Sequence, residues 1–132
     1  MAHYLFESMV ESRGIPAIAV SMSVLGLNGV PADPHAVSVC QEIGLDLSEH
    51  RAQPLNQAML RAATHVFVME SFHEAEAIRA GAAPERIHYL GAYDPQDSTP
   101  SVTDPHRQGR EAFVECRERI TRALDAFVET LG

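Results

Sequence analysis

The regular alternation of two hydrophobic periods along the chain is the strongest constraint on its fold. Apolar residues three or four apart, typical of amphipathic helices, alternate with short apolar runs rich in β-branched residues, which are typical of buried strands. The pattern predicts strands over 16–24, 64–69 and 86–90, and helices over 2–12, 34–43, 56–62, 71–79 and 109–131. This alternation favours an α/β fold of three layers, in which a parallel sheet is flanked by helices on both faces.

Cap residues mark the ends of two of these helices. Asp33 precedes Pro34, a combination typical of a helix N-terminus, and Gly44 stands where that helix should end. Ser71 precedes a run of helical periodicity and has Glu74 three residues later, which is the spacing of a capping box. We therefore expect Ser71 to cap the helix that follows the strand over 64–69.

Length and charge limit the number of domains and the kinds of partner that this chain can have. The 132 residues fit one domain, spanning 1–132, and the ten arginines against 18 acidic residues give a formal charge of −8. That charge disfavours a nucleic-acid partner, which requires a broad cationic surface. No apolar run approaches the roughly 20 residues of a membrane helix, and the first residues lack the basic and apolar parts of a secretory signal. We expect a cytoplasmic protein without a membrane segment.

The distribution of polar residues predicts neither a metal site nor a cofactor. No two of the seven histidines form an i,i+4 pair on a predicted helix, and no glycine-rich loop joins a strand to a helix in the nucleotide-binding pattern. The two cysteines, Cys40 and Cys116, are too few for a disulfide framework and show no CxxC spacing. We expect no bound metal and no cofactor.

Six short motifs, in order along the chain, carry a family resemblance. They read MAH at 1–3, PADP at 31–34, GLDLSEHRA at 44–52, MES at 69–71, LGAYDP at 90–95 and DP at 104–105. In this order and near this spacing they resemble the low-molecular-weight protein tyrosine phosphatases, without that family's first strand and its Cys-x5-Arg phosphate-binding loop. The resemblance implies the family's α/β fold with the first strand absent.

The resemblance assigns roles to four polar residues. Asp104 matches the general acid that protonates the leaving phenol, and we interpret it here as vestigial, since an Asp before Pro commonly forms a turn. His50 matches a histidine that supports the phosphate-binding loop. His106 and Arg107 stand where the family usually has an aromatic pair that walls the substrate slot, so we treat them as substrate-binding positions.

Neither cysteine fits the nucleophile that the family uses. That chemistry needs a thiolate beside backbone N–H groups and an Arg that hold the phosphoryl oxygens. Cys40 has no Arg six residues later. Cys116 has Arg122 at that place, but both fall inside the predicted helix over 109–131, whose N–H groups are used internally. We interpret both thiols as buried helix residues.

Apolar residues replace small and polar family residues around the end of the predicted strand over 16–24. These residues are Met22, Val24, Leu25 and Leu27. In the family the missing strand lies between the strands matched by 17–24 and 64–69, so its loss leaves two unpaired edges. The two strands then pair within one chain, or two chains pair their edges. We expect a homodimer with these four residues at its interface.

Three functions follow from this reading of the sequence. The first is a catalytically silent phosphatase-like protein that acts as a binding or assembly module, with a second copy or another protein as its partner. The alternative is an active phosphatase, acting through a cysteinyl-phosphate, whose N-terminus is truncated in this sequence. The third is a different enzyme that uses the pocket around Asp104, His106 and Arg107.

Overall fold

The computed structural model describes residues 1–131. Within them, α-helices and two short strands follow one another, and single turns of 3₁₀-helix cover Pro84–Arg86 and Leu90–Tyr93. The strands are β1 (Val66–Val68) and β2 (Ile87–Tyr89), and the helices are α1 (Ala2–Ser12), α2 (Pro34–Gln41), α3 (Gln57–Ala62), α4 (Ser71–Arg79) and α5 (Arg110–Glu129).

The two strands lie side by side in parallel, with Val66 opposite Ile87 and Val68 opposite Tyr89. Helix α4 connects them, because parallel strands cannot be joined by a tight turn and need a crossover. The predicted α/β class with a parallel sheet is thereby confirmed. The chain leaves the carboxyl end of β1 at Met69, and this turn forms one wall of the pocket described below.

The apolar run over 16–24 does not form the predicted strand. Residues 15–22 have no regular secondary structure, and Ser23 forms only an isolated bridge with Pro54. A strand needs a ladder of backbone hydrogen bonds to a neighbouring strand, and this run meets a loop instead. Ser23 N donates to Gln53 O at 2.7 Å, and Gln53 Nε2 donates to Ser21 O at 2.9 Å. Among residues 1–131 the run is also not paired with β1.

Helix α4 begins at Ser71 as predicted, but its cap differs from the prediction. Glu70 is the N-cap, in extended conformation, and Ser71 is the first helical residue. His73 Nδ1 accepts hydrogen bonds from the backbone N–H groups of Met69 and Glu70, both at 3.2 Å. The imidazole takes the place of the predicted Ser71 and Glu74 box because the cap lies one residue earlier than that box requires.

Helix α5 organises the core by packing against α1, α2 and the Leu90–Tyr93 turn. Full burial of an aliphatic side chain contributes about 1.5–3 kcal/mol. The largest cluster holds α1, α5 and the Leu90–Tyr93 turn together, and it comprises Leu5, Leu90, Val102, Ile120, Ala123 and Leu124. A second cluster, which includes Val39 and Phe113, holds α2 on α5. This packing brings the first turn of α1 to the middle of α5. No helix within residues 1–131 combines the length and the apolar character needed to cross a membrane.

Candidate functional site

A pocket of about 300 Å³ lies at the N-terminal end of α1. Five other parts of the chain complete it: the segment before Met22, the loop that ends at His50, the turn from β1 into α4, the loop before α5, and α5 itself. Its lining residues are Met1, Ala2, His3, Tyr4, Ser21, Leu47, His50, Met69, Glu70, His73, Val102, Thr103, Asp104, Pro105, Cys116 and Ile120. Most of the wall is apolar.

Two of the four polar residues assigned from the resemblance line this pocket. His50 and Asp104 lie on its wall, whereas His106 and Arg107 belong to the exposed loop just beyond it. His106 Nδ1 lies 3.4 Å from Asp33 Oδ2, so this side chain is directed towards the start of α2. Arg107 adopts a left-handed backbone conformation with φ of 65°. The third predicted function, which needed Asp104, His106 and Arg107 in one pocket, is therefore not supported.

Asp104 forms a local turn at the rim of the pocket. Its Oδ1 accepts a hydrogen bond from His106 N at 3.0 Å, which is the Asx-turn geometry expected of an Asp before Pro. The side chain is exposed to solvent. The interpretation of Asp104 as a vestigial general acid stays a prediction.

A buried carboxylate anchors the loop that carries Asp104, and the sequence reasoning missed its role. Asp94 is 1% exposed and receives two hydrogen bonds from Arg122, from Nε to Oδ1 and from Nη2 to Oδ2, both at 3.0 Å. The Arg122 hydrogen bonds hold the pKa of the Asp94 carboxyl below its ordinary value. Arg119 Nη1 donates to Ser101 O at 2.7 Å, which ties the same loop to α5. In the sequence, this anchor is indicated only by Arg119 and Arg122, which lie three residues apart on one face of the predicted helix.

His50 sits among aromatic rings at the base of the pocket. Tyr4 and His50 meet edge to face, with ring centroids 5.5 Å apart, and His3 lies 6.1 Å from His50. Burial lowers the pKa of His50, and burial likewise lowers the pKa of His73. Both imidazoles are therefore favoured in the neutral form, in which one ring nitrogen accepts a hydrogen bond. His3 and His73 were not predicted as site residues, because their places in the pocket depend on tertiary packing.

The two thiols lie where the sequence predicted them, inside helices. Cys40 is fully buried in α2, and burial raises its pKa. Cys116 lies in the middle of α5 and lines the pocket, and burial raises its pKa to about 11. Backbone N–H groups in a helix interior bond to carbonyls of the preceding turn, so those around Cys116 cannot hold a phosphoryl group. Among residues 1–131 there is no group of three His, Cys, Asp or Glu side chains placed to hold a metal ion.

The four residues predicted at a dimer interface differ in their exposure. Leu25 is 74% exposed and Leu27 is 42% exposed. Met22 and Val24 are half-buried, and Met22 packs against the cluster around Leu60. The neighbouring Ile18, Val20 and Val30, which the sequence reasoning did not select, are also exposed.

Comparison with known proteins gives a consistent family assignment. The profile of the family "Low molecular weight phosphotyrosine protein phosphatase" matches residues 1–132. A probable low molecular weight protein-tyrosine-phosphatase, EpsP of Ralstonia nicotianae, is 36% identical over 118 residues, which are 88% of this chain and 79% of that protein. Wzb of Escherichia coli K12 is 27% identical over 132 residues, which cover 100% of this chain and 82% of Wzb.

Solved structures agree with the sequence comparison. The low molecular weight protein tyrosine phosphatase of T. tengcongensis superposes with a TM-score of 0.87 at 25% identity, covering 98% of this chain and 88% of that one. The Erwinia amylovora tyrosine phosphatase amsI gives a TM-score of 0.83 at 25% identity, with 98% and 82% covered. The chain is therefore a member of the low molecular weight phosphotyrosine protein phosphatase family.

Proposed function

We propose that this 132-residue chain does not hydrolyse phosphomonoesters and acts as a binding or assembly module. The observation that supports this most is the state of its two thiols. The nucleophile of cysteine-dependent phosphate transfer is a thiolate, and a Cys116 thiol with a pKa of about 11 stays protonated at neutral pH. Cys40 is fully enclosed by other side chains and cannot meet a substrate.

The polar groups of the pocket give the proposal further support. Asp104 Oδ1 accepts a hydrogen bond within its own loop. The positive N-terminus of the chain favours the thiolate form of Cys40 and Cys116, but burial outweighs it and keeps the pKa of both thiols raised. Both cysteines are free. Free thiols fit a reducing compartment, so the proposal places the module in the cytoplasm.

The first test is phosphatase turnover of the 132-residue chain. We expect no hydrolysis of p-nitrophenyl phosphate or of a phosphotyrosine peptide above the buffer rate, with an active family member as the positive control. Chains carrying Cys40→Ser or Cys116→Ser serve as matched variants. Turnover that either substitution abolishes would contradict the proposal.

The partner we propose for assembly is a second copy of the chain, bound through the uncharged segment 14–32. This segment contains no charged residue, although the chain as a whole carries a formal charge of −8. When two copies meet through this segment, it places no charged residue against another, whereas most other faces of two acidic proteins would repel each other. Its exposed apolar side chains are those expected of an interface, and they are Ile18, Val20, Leu25, Leu27 and Val30.

Light scattering tests this assembly directly. We expect the mass of a dimer at micromolar concentration, and the 14.4 kDa mass of a monomer for the Leu25→Asp, Leu27→Asp double variant. The matched control is Ile43→Asp, because Ile43 is exposed and apolar but lies outside the segment. A monomeric unmodified chain, or a double variant that remains dimeric, would rule out this interface.

Phosphomonoester hydrolysis by a longer form of the chain is the second candidate function. The observation in its favour is the position of the pocket at the first turn of α1, beside Asp104 and His50. In the family resemblance, this is where a Cys-x5-Arg loop would join the helix. Reading the DNA upstream of Met1 in frame tests it: a Cys-x5-Arg-Ser-Pro motif there would favour this candidate over a silent module, and a stop codon before any such motif would exclude it.

A further inference from the structure

Three polar side chains form a connected row along one wall of the pocket. His3 Nδ1 lies 3.0 Å from Ser21 Oγ, and His3 Nε2 lies 3.0 Å from Glu7 Oε1. His3 and Glu7 stand one turn apart on α1, so the helix itself sets their contact. Ser21 and His3 line the pocket, whereas Glu7 lies behind them and is half-exposed.

One tautomer of the imidazole satisfies both contacts. With the proton on Nε2, His3 donates to the Glu7 carboxylate, and Nδ1 is left as an acceptor for the Ser21 hydroxyl. A hydroxyl beside a base, with the base oriented by a carboxylate, is the general arrangement of an activated serine nucleophile. The family chemistry described above uses a thiolate nucleophile, so it does not account for this row.

We propose that Ser21 is a nucleophile activated by His3, that Glu7 positions His3, and that the pocket hydrolyses esters of short apolar carboxylic acids. The pocket volume of about 300 Å³ is at the lower end of ligand sites. Its apolar wall includes Leu47 and Val102, which suit a short acyl chain. This activity is independent of the thiols and of the proposed assembly.

The reaction balances with water as the only co-reactant. Ser21 Oγ bonds to the ester carbonyl carbon while its proton passes to His3 Nδ1, and the C–O bond to the alcohol breaks as that proton moves to the leaving oxygen. Water then attacks the acyl-serine and gives its proton to His3, which returns it to Ser21 Oγ as the carboxylic acid leaves. Ala2, His3 and Tyr4 in the first turn of α1, whose backbone N–H groups have no acceptor inside the helix, line the same pocket, and the proposal assigns these N–H groups to the developing oxyanion.

Covalent labelling is the first arm of the test. Diisopropyl fluorophosphate, which reacts with activated serines, should add one equivalent to the 132-residue chain, and peptide mapping should place it on Ser21. The Ser21→Ala chain should remain unlabelled. The matched control is Ser23→Ala, because the Ser23 hydroxyl only accepts a hydrogen bond from Leu25 N, and this chain should label like the unmodified one.

Ester turnover is the second arm and separates the three roles. Hydrolysis of p-nitrophenyl butyrate should be lost in Ser21→Ala and should fall by about 10²-fold or more in His3→Gln, the usual contribution of a general base. Glu7→Gln should lower kcat with KM unchanged, because Glu7 positions the base and does not touch the ester. His65→Gln, at an exposed histidine outside the pocket, controls for hydrolysis by surface imidazole.

Thermal melting accompanies both arms, so that loss of fold is not mistaken for loss of a nucleophile. If Ser21→Ala does not fold, the folded His3→Gln chain decides, because it should lose both labelling and turnover. Labelling or turnover at the level of the unmodified chain in either folded variant would overturn the proposal. So would their absence from the folded, unmodified chain.

Discussion

Replacing Asp94 with Asn should be among the most damaging single changes to the stability of this chain. The Asp94 side chain is fully buried and forms a two-pronged pair with Arg122, while Arg119 Nε lies 3.6 Å from its Oδ2. Removing one partner of a buried ion pair costs about 3–5 kcal/mol. Because the Arg122 side chain is 31% exposed and can be hydrated, we take the lower end, about 3 kcal/mol.

Thermal melting measures this cost. For a domain of this size 1 kcal/mol shifts Tm by about 4 °C, so Asp94→Asn should lower Tm by about 12 °C. The matched control is Asp125→Asn, which breaks a pair with Arg13 in which both side chains are more than one third exposed. That change should cost less than about 1 kcal/mol. A Tm for Asp94→Asn within about 2 °C of the unmodified chain would show that the Asp94–Arg122 pair does not stabilise the fold.

The pH dependence supplies a second readout of the same pair. Arg122 lowers the pKa of Asp94 in the folded chain, so the unfolded chain takes up this proton first as pH falls. The stability that Asp94 contributes is therefore complete above about pH 4, the ordinary pKa of Asp, and is lost as pH drops further towards the folded value. Asp94→Asn lacks this pH-dependent contribution. The difference in free energy of unfolding between this variant and the unmodified chain should therefore become smaller below pH 4.

Three further substitutions give smaller, distinct effects. Asp104→Asn should change the free energy of unfolding by less than about 0.5 kcal/mol, because Asn can accept the same turn hydrogen bond; a fall in Tm of many degrees would contradict this. Gly91→Ala should lower the free energy of unfolding by more than roughly 1 kcal/mol, as overpacking does, because the added Cβ would collide with the carbonyl oxygen of Thr99. Chemical denaturation measures this change, and an unchanged denaturation midpoint would contradict it. His73→Ala should lower the free energy of unfolding by about 1 kcal/mol at pH 7, as for a lost cap, and by less below about pH 6.5. The reason is that burial lowers the pKa of His73, and protonation removes the hydrogen-bond acceptor from the unmodified chain as well. An equal effect at pH 5 and pH 7 would contradict this.

Local patterns predicted the helices well because the signals that start them lie close in sequence. Asp33 Oδ1 accepts a hydrogen bond from His35 N at 2.8 Å, and α2 begins at Pro34 as its cap predicts. The periodicity of residues 2–12 likewise matches α1. The run over 16–24 has the composition of a strand, yet a strand also needs a partner that local sequence cannot supply.

The candidate site was predictable only where a motif carries its residues. His50 and Asp104 belong to such motifs and do line the pocket. The contact of His3 with Ser21 joins residues 18 apart, and that of Asp94 with Arg122 joins residues 28 apart. The first contact depends on how α1 packs on the segment before Met22, and the second on how the Leu90–Tyr93 turn packs on α5. No short sequence pattern encodes either packing.

The alkylation rate of Cys116 at controlled pH shows whether this chain holds a thiol that could act as a phosphatase nucleophile. In a Cys40→Ser chain, Cys116 is the only thiol, and its reaction with iodoacetamide reports the fraction of thiolate. A pKa of about 11 predicts a rate at pH 8 about 10²-fold below that of the same chain unfolded in denaturant, where the thiol has an ordinary pKa. A rate in the folded chain equal to or above that of the unfolded chain, with a plateau below pH 8, would contradict the claim that this chain lacks a phosphatase nucleophile.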